Sequence, residues 1–147
     1  AAAAADCAML IGTRKLLDFA RDNPGIRLRS TEYTHDPRVL ASLPRFVAIN
    51  SAVEVDLTGQ VNAEVAKGSY LGAVGGALDF VRAASQSPGG VSLLLVPAAR
   101  VVATLSGPVS TPRSEAGVIV TEHGAADLRG CTLRERSRRL AAISSTV

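Results

Sequence analysis

Apolar and polar positions along this chain follow two periods, and the changes between them mark out the elements. Residues 46–56 show the plainest period of two. Val47, Ile49, Val53 and Val55 share one face with Ser51, and Asn50, Glu54 and Asp56 share the other, as on a half-buried strand. Leu57-Thr58-Gly59-Gln60 then turns the chain back into residues 61–65, so a hairpin is expected there. VSLLLVP (91–97) and GVIVTE (117–122) are unbroken apolar runs and are expected to be fully buried strands. Residues 27–33 alternate as a short strand would.

The helical period appears between these runs. Gly12 and Thr13 open a helix that turns Leu16, Leu17 and Ala20 inward, and Asn23-Pro24-Gly25 stops it. Asp36 followed by Pro37 is an N-cap with a first-turn proline, opening a helix through Leu43 that Pro44 closes. Residues 69–74 lead into Gly75-Gly76 and a helix over 78–85, which Ser87-Pro88-Gly89-Gly90 ends. Residues 108–114 read as loop, and Gly124 opens a short turn or helix. Thr132 to Glu135 fits a capping box for a last helix that buries Leu133, Leu140 and Ile143. Strands alternating with helices, one hairpin apart, predict an α/β class with a mixed, mostly parallel sheet.

Length and composition narrow the function classes. The 147 residues suit a single domain, 1–147. Hydrophobic residues make up 47%, yet Phe and Tyr together number five and Trp is absent, so the core is built of Val, Leu, Ile and Ala. A net charge of +3, without aromatics interleaved among the arginines, argues against a nucleic-acid partner. The basic stretch 129–139 reads as a solvated helix face, with a phosphate contact as the alternative. Cys7 and Cys131 carry no metal-ligand spacing and read as reduced thiols of a cytoplasmic protein. No apolar run approaches the length of a membrane span, so no membrane partner is expected, and AAAAADCAML makes no convincing signal peptide.

Four residues could carry chemistry. Gly75 and Gly76 between a strand and a helix would let backbone N–H groups approach an anion, although a tight turn without ligand is equally served by such a pair. Asp79 nearby would repel a phosphate, which leaves a small acyl oxyanion as the better match. Glu122, ending an apolar strand, could act as acid, base or hydrogen-bond anchor, or simply as a cap or surface carboxylate. His35 beside Asp36 could be a polarised imidazole, but Asp36 is better explained as the helix cap. Asn50, Glu54 and Asp56 are spread along one strand face over too great a distance to share a metal ion, so no metal site is expected.

Six ordered blocks carry a family resemblance: GTRKLLDFARDNP, YTHDPRVLA, VAINSAVEVDLTGQVNAE, GAVGGALDFVRAAS, STPRSEAGVIVTEHGAADLRG and TLRERSRRL. Together, from about Gly12 to Ile143, they resemble the acetyl-CoA hydrolase/transferase family, which includes 4-hydroxybutyrate, butyrate and succinyl:acetate CoA-transferases. The resemblance implies a three-layer NagB/RpiA/CoA-transferase-like fold and a homo-oligomer. It also implies acyl transfer through a glutamyl-CoA thioester, from a short-chain acyl-CoA to a short carboxylic acid. Coenzyme A would then be substrate, with no permanently bound cofactor. In that scheme Gly76, with Gly75 beside it, offers an N–H to the oxyanion, Glu122 orients the reacting carboxyl group, and His35 lines the same pocket. His123 stands where relatives have tyrosine, and the stretch between Pro97 and Pro108 looks shorter than theirs. The nucleophilic glutamate of the family belongs to a block before GTRKLLDF. Glu32, Glu54, Glu64, Glu115 and Glu135 do not match it, so the nucleophile and an N-terminal domain are expected outside this chain. An acetyl-CoA hydrolase, or a non-catalytic acyl-CoA-binding or assembly module, are the alternatives. A short aliphatic acyl group is expected, because only Val, Leu and Ala lie near the glycines in sequence.

Overall fold

The computed structural model describes residues 4–147; the reading of the opening alanines falls in part outside them. The central sheet has strand order β11-β10-β8-β3. Its strands are β3 (Val47–Ser51), β8 (Val91–Leu95), β10 (Val118–Thr121) and β11 (Gly124–Asp127). β3, β8 and β10 are parallel, and β11 returns antiparallel to β10. A second sheet of order β5-β4-β9 is formed by β4 (Glu54–Asp56), β5 (Val61–Asn62) and β9 (Val101–Val102). Two small pairs complete the strands: β1 (Ala5–Cys7) parallel to β2 (Ile26–Leu28), and β6 (Val65–Ala66) antiparallel to β7 (Ser69–Tyr70). The fold is therefore mixed α/β, with parallel and antiparallel pairs. Three strand pairs are antiparallel neighbours in sequence, β4–β5, β6–β7 and β10–β11, where one hairpin was expected.

The run 46–56 is two strands, not one. The chain changes sheets at Ala52 and Val53, where the Ala52 N–H donates to Leu95 O at 2.9 Å and the Val53 N–H to Asn62 O at 2.8 Å. The change rotates the pattern of faces. In β3 it is Ala48 that is buried while Val47 and Ile49 are exposed. All three residues of β4 are buried, including the carboxylates of Glu54 and Asp56. Burying a charge requires donors, and both have them. Glu54 accepts from the Ser106 N–H at 2.9 Å and its hydroxyl at 2.8 Å, and pairs with Arg100 at 3.7 Å. Asp56 accepts from the N–H and hydroxyl of Thr58 and from both nitrogens of Gln60.

The helices are α1 (Arg14–Ala20), α2 (Thr31–Thr34), α3 (Pro37–Ala41), α4 (Ala77–Gln86) and α5 (Leu133–Ala141). Asp36 caps α3, its carboxylate accepting from the Arg38 N–H at 2.8 Å, with Pro37 following. Thr132 and Glu135 form the capping box of α5. The expected strand over 27–33 ends at Leu28 and gives way to α2. α1 forms where expected but buries none of its residues: Leu17 is exposed. Leu133 is likewise exposed, whereas Leu140 and Ile143 are buried as expected. These two join Leu94, Ile119, Val55, Val101 and Leu128 in the main core between the two sheets and α5. Burial at this density, roughly 25 cal/mol per Å² of apolar surface, drives the fold. Among the described residues no helix is long and apolar enough to cross a membrane, and Cys7 and Cys131 are free thiols.

Candidate functional site

Strand direction sets where chemistry can gather. β3, β8 and β10 run the same way, so Ser51, Leu95 and Thr121 end at one edge. The end of α4 leads through residues 87–90 into Val91, the first residue of β8, and α4 packs on β3 and β8. Ten helical residues rise roughly 15 Å, close to the roughly 17 Å of a five-residue strand. The start of α4 at Gly76 therefore lies level with the carboxyl edge of the sheet, the edge at which open α/β sheets hold ligands.

The approach to Gly75-Gly76 is not the expected strand. β7 ends at Tyr70 and the exposed residues 71–74 are irregular. Gly75 has φ +63°, a left-handed conformation natural to glycine. Gly76 is the N-cap of α4 with no side-chain cap; the Asp79 N–H donates to the Gly76 carbonyl at 3.1 Å, which leaves the N–H groups before it to face a small anion. A second demand acts on Gly76: a Cβ placed there would overlap Cδ2 and Nε2 of His35.

His35 is held from two sides. Its ring stands edge-on to Phe80 of α4, centroids 5.0 Å apart at 88°, and its Nδ1 lies 3.0 Å from Thr34 Oγ1 in a hydrogen bond. Asp36 is not its partner. The side chain and N–H of Arg38 hold the Asp36 carboxyl down to about 2, committing that residue to the cap and leaving the imidazole to Thr34. A cleft of ≈ 430 Å³ opens between β1, the α2–α3 segment and α4, with Asp6, Tyr33, His35, Phe46 and Phe80 in its walls.

Glu122 does not precede a helix. It is the first residue of a two-residue hairpin tip between Thr121 and Gly124, a tip tightened where the His123 N–H donates to Thr121 Oγ1 at 3.1 Å. Its Oε2 accepts from the Ala98 N–H at 2.8 Å, tying the tip of β10 to the turn that follows β8. That Ala98 bond, the residue's own N–H and, less, the nearby His123 hold the carboxyl below its ordinary value, against an opposing push from burial. An ionised acceptor suits orientation of another group better than proton donation. Glu122 lines a mainly apolar cleft of ≈ 540 Å³ with Ser51, Leu95, Pro97 and Val120.

The structure thus brings Gly76 and His35 into direct contact. Glu122 lies in a different cleft, whose walls include neither glycine nor His35. The Ala98 N–H was not foreseen: nothing in VPAAR announces a donor for a carboxylate 24 positions on. Thr34 was also missed, because its burial and its bond to His35 depend on packing that the sequence does not show. Among the described residues no cluster of three or more His, Cys, Asp or Glu is arranged to hold a metal ion.

Comparison with known proteins follows this geometry. Residues 12–146 match the acetyl-CoA hydrolase/transferase C-terminal domain. The 4-hydroxybutyrate coenzyme A transferase of Clostridium kluyveri is 39% identical over 140 residues, covering 89% of this chain and 33% of that protein. An acetyl-CoA hydrolase of Kluyveromyces lactis is 33% identical over 124 residues, covering 77% of this chain and 23% of that one. A mutant structure of RipA, a Yersinia pestis protein, superposes with a TM-score of 0.91 at 34% identity, covering 97% of this chain and 34% of that chain. The chain spans about a third of the length of the Clostridium kluyveri transferase and of two butyrate-type CoA-transferases that it also matches. Matched along nearly its whole length in sequence and in fold, the chain belongs to the acetyl-CoA hydrolase/transferase family, in which it corresponds to the C-terminal domain.

Proposed function

We propose that this chain supplies one half of the active site of a CoA-transferase. The reaction moves CoA between a short-chain acyl-CoA and a carboxylate through a glutamyl-CoA thioester. The reading is supported by the position of Glu122, which follows β10 at the carboxyl edge of the parallel strands and accepts the Ala98 N–H, and toward which the reach of α4 back from β8 carries Gly76. Attack of a carboxylate on a thioester develops an oxyanion, which N–H donors at Gly75-Gly76 stabilise. The covalent carboxyl intermediate conserves the thioester's energy between half-reactions. Glu122 orients the reacting carboxyl group and His35 closes the pocket beside Gly76. The nucleophilic glutamate is assigned to polypeptide outside these 147 residues, within a cytoplasmic homo-oligomer of three-layer NagB/RpiA/CoA-transferase-like domains. The acyl group is short and aliphatic: acetyl, propionyl, butyryl or 4-hydroxybutyryl. Coenzyme A enters as substrate, with no resident cofactor.

The test is incubation of the full-length protein with acetyl-CoA and butyrate, followed by mass spectrometry. Butyryl-CoA is the expected product. Free CoA without acyl exchange would instead favour the second reading, an acetyl-CoA hydrolase, which the Kluyveromyces lactis relative supports.

A further inference from the structure

A further cavity lies where the parallel strands begin, at the other end of the sheet from Glu122. Val91 is the first residue of β8, and Gly117 directly precedes β10. The cavity measures ≈ 280 Å³ and is walled by Val81 and Ser85 of α4, Val91 and Ser92 of β8, residues 114–117, Arg129 and Arg136. Most charges in these walls are already matched. Arg129 gives Nε and Nη2 to Asp127 at 2.9 and 2.7 Å, and Glu115 pairs with Arg82 at 3.3 Å. Arg136 has no carboxylate partner among the described residues. Its Nη1 donates to Arg113 O at 2.7 Å and to Thr58 O at 3.5 Å, which fixes the guanidinium without neutralising it. Ser92 is the second unmatched group. It is 5% exposed, and no group of the described residues hydrogen-bonds its hydroxyl, whereas buried hydroxyls are normally bonded. A Cβ at Gly117 would come within 2.9 Å of Ser92 Oγ, so the glycine leaves that hydroxyl room for a partner.

We propose that this cavity binds a short-chain monocarboxylate, its carboxylate between Arg136 and the Ser92 hydroxyl and its aliphatic part against Val81, Val91 and Ala116. Charge, donor geometry and size select that class. One unmatched guanidinium calls for one negative charge, and Glu115 in the wall disfavours a second. The two oxygens of a carboxylate can accept from a guanidinium and a hydroxyl at once. Val81 and Ala116 are buried apolar surface, which suits an alkyl part better than a phosphate oxygen. The volume is near the lower end, roughly 300 Å³, of pockets that hold small molecules, so the chain is a few carbons long. The proposal rests on this cavity and not on the transferase reading. An acid bound here joins α4 to α5 across the start of β8, as an effector or a stabilising ligand does.

The test uses the full-length protein without CoA and follows trifluorobutyrate by fluorine NMR. Acyl exchange is not measured, so either reading can fail without the other. A bound signal is expected, displaced by butyrate but not by equal concentrations of phosphate or chloride. Ser92→Ala should weaken binding about tenfold, the usual loss for a hydrogen bond to a charged group. The melting temperature of that variant without ligand should stay level or rise, because its hydroxyl has no protein partner to lose. Arg136→Met should weaken binding at least as much. A signal that keeps its affinity in both variants places the acid in another pocket, that of Glu122 among them, and overturns the proposal. Displacement by phosphate as readily as by butyrate overturns it too, since a general anion patch then explains the signal. With no bound signal the hydroxyl is left to water and the proposal fails. A clear fall in the melting temperature of ligand-free Ser92→Ala has the same consequence, because the hydroxyl is then already bonded within the protein.

Discussion

The ring of His35 occupies the space that any side chain at residue 76 would need, so the glycine at the start of α4 and the histidine at the end of α2 fit each other. The glycine admits a ligand to the backbone and also admits His35. A larger side chain there, as in Gly76→Val, first displaces the imidazole from Phe80 and Thr34.

Gly76→Ala is therefore expected to cost about 1–3 kcal/mol, the usual range for overpacking. The double variant with His35→Ala should recover most of that loss. A denaturant double-mutant cycle measures it, and additive losses would contradict the contact.

Glu122→Gln keeps the shape of the side chain and removes the charge that accepts the Ala98 N–H. The melting temperature should change little, because the tip of β10 is also held by Thr121. Acyl exchange by the full-length enzyme should fall on the order of tenfold to a hundredfold, as expected when an aligned electrostatic group is lost. Full retained exchange would leave Glu122 with a purely structural part.

Ser106 donates from its N–H and its hydroxyl to Glu54. Ser106→Ala is expected to destabilise by about 1–3 kcal/mol, the cost of stripping a donor from a buried group. Chemical denaturation of the two proteins checks it, and an unchanged midpoint would show that water replaces the hydroxyl.

The same network sets an acid limit. Burial pushes the Glu54 and Asp56 carboxyls up, but the donors of Ser106, Asn62 and Arg100 at Glu54, and of Thr58 and Gln60 at Asp56, outweigh it and leave both below their ordinary values. Groups with a lower pKa folded than unfolded take up protons on unfolding, so their stabilisation is present above the unfolded carboxylate range and is lost as pH falls through the folded values. Melting temperature should be level from pH 7 to about 5 and decline below about 4. Glu54→Gln should shallow that decline, and an equally steep one in the variant would place the acid sensitivity elsewhere.

Gly75 has open space around it, so its requirement is conformational alone. Gly75→Asn should be nearly neutral, whereas Gly75→Val should cost about 1–2 kcal/mol for a β-branched residue held left-handed. If thermal melts rank the two variants equally, the turn relaxes out of that conformation in solution.

What the sequence made legible was local. The Asp36-Pro37 cap and the Thr132–Glu135 capping box depend on residues within one turn, and both form. The β4–β5 hairpin follows from Gly59 and its neighbours and also forms. Features decided by distant partners were not legible. The break at Ala52 is made by the carbonyls of Leu95 and Asn62. The anchoring of Glu122 depends on a backbone N–H after β8. The apolar character of 91–97 was visible, but it could not tell whether both faces of the strand have cover, and one does not. The parallel pairing of β8 with β10 sets Glu122 at the carboxyl edge of those strands, whereas His35 stood out in sequence as a neighbour of Asp36 and meets Gly76 through packing instead.

The order of the strands also governs how the chain reaches this state. Val47 pairs with Val91, and Val55 with Val101, so each pairing must close a loop of more than forty residues before any contact stabilises it. The hairpins β4–β5 and β10–β11 need only a few residues and can form in microseconds. Folding is thus expected to wait on β8, the strand that both of its parallel neighbours require. Substitutions there, Leu94→Ala among them, should slow refolding, whereas changes at the hairpin tips should mainly hasten unfolding.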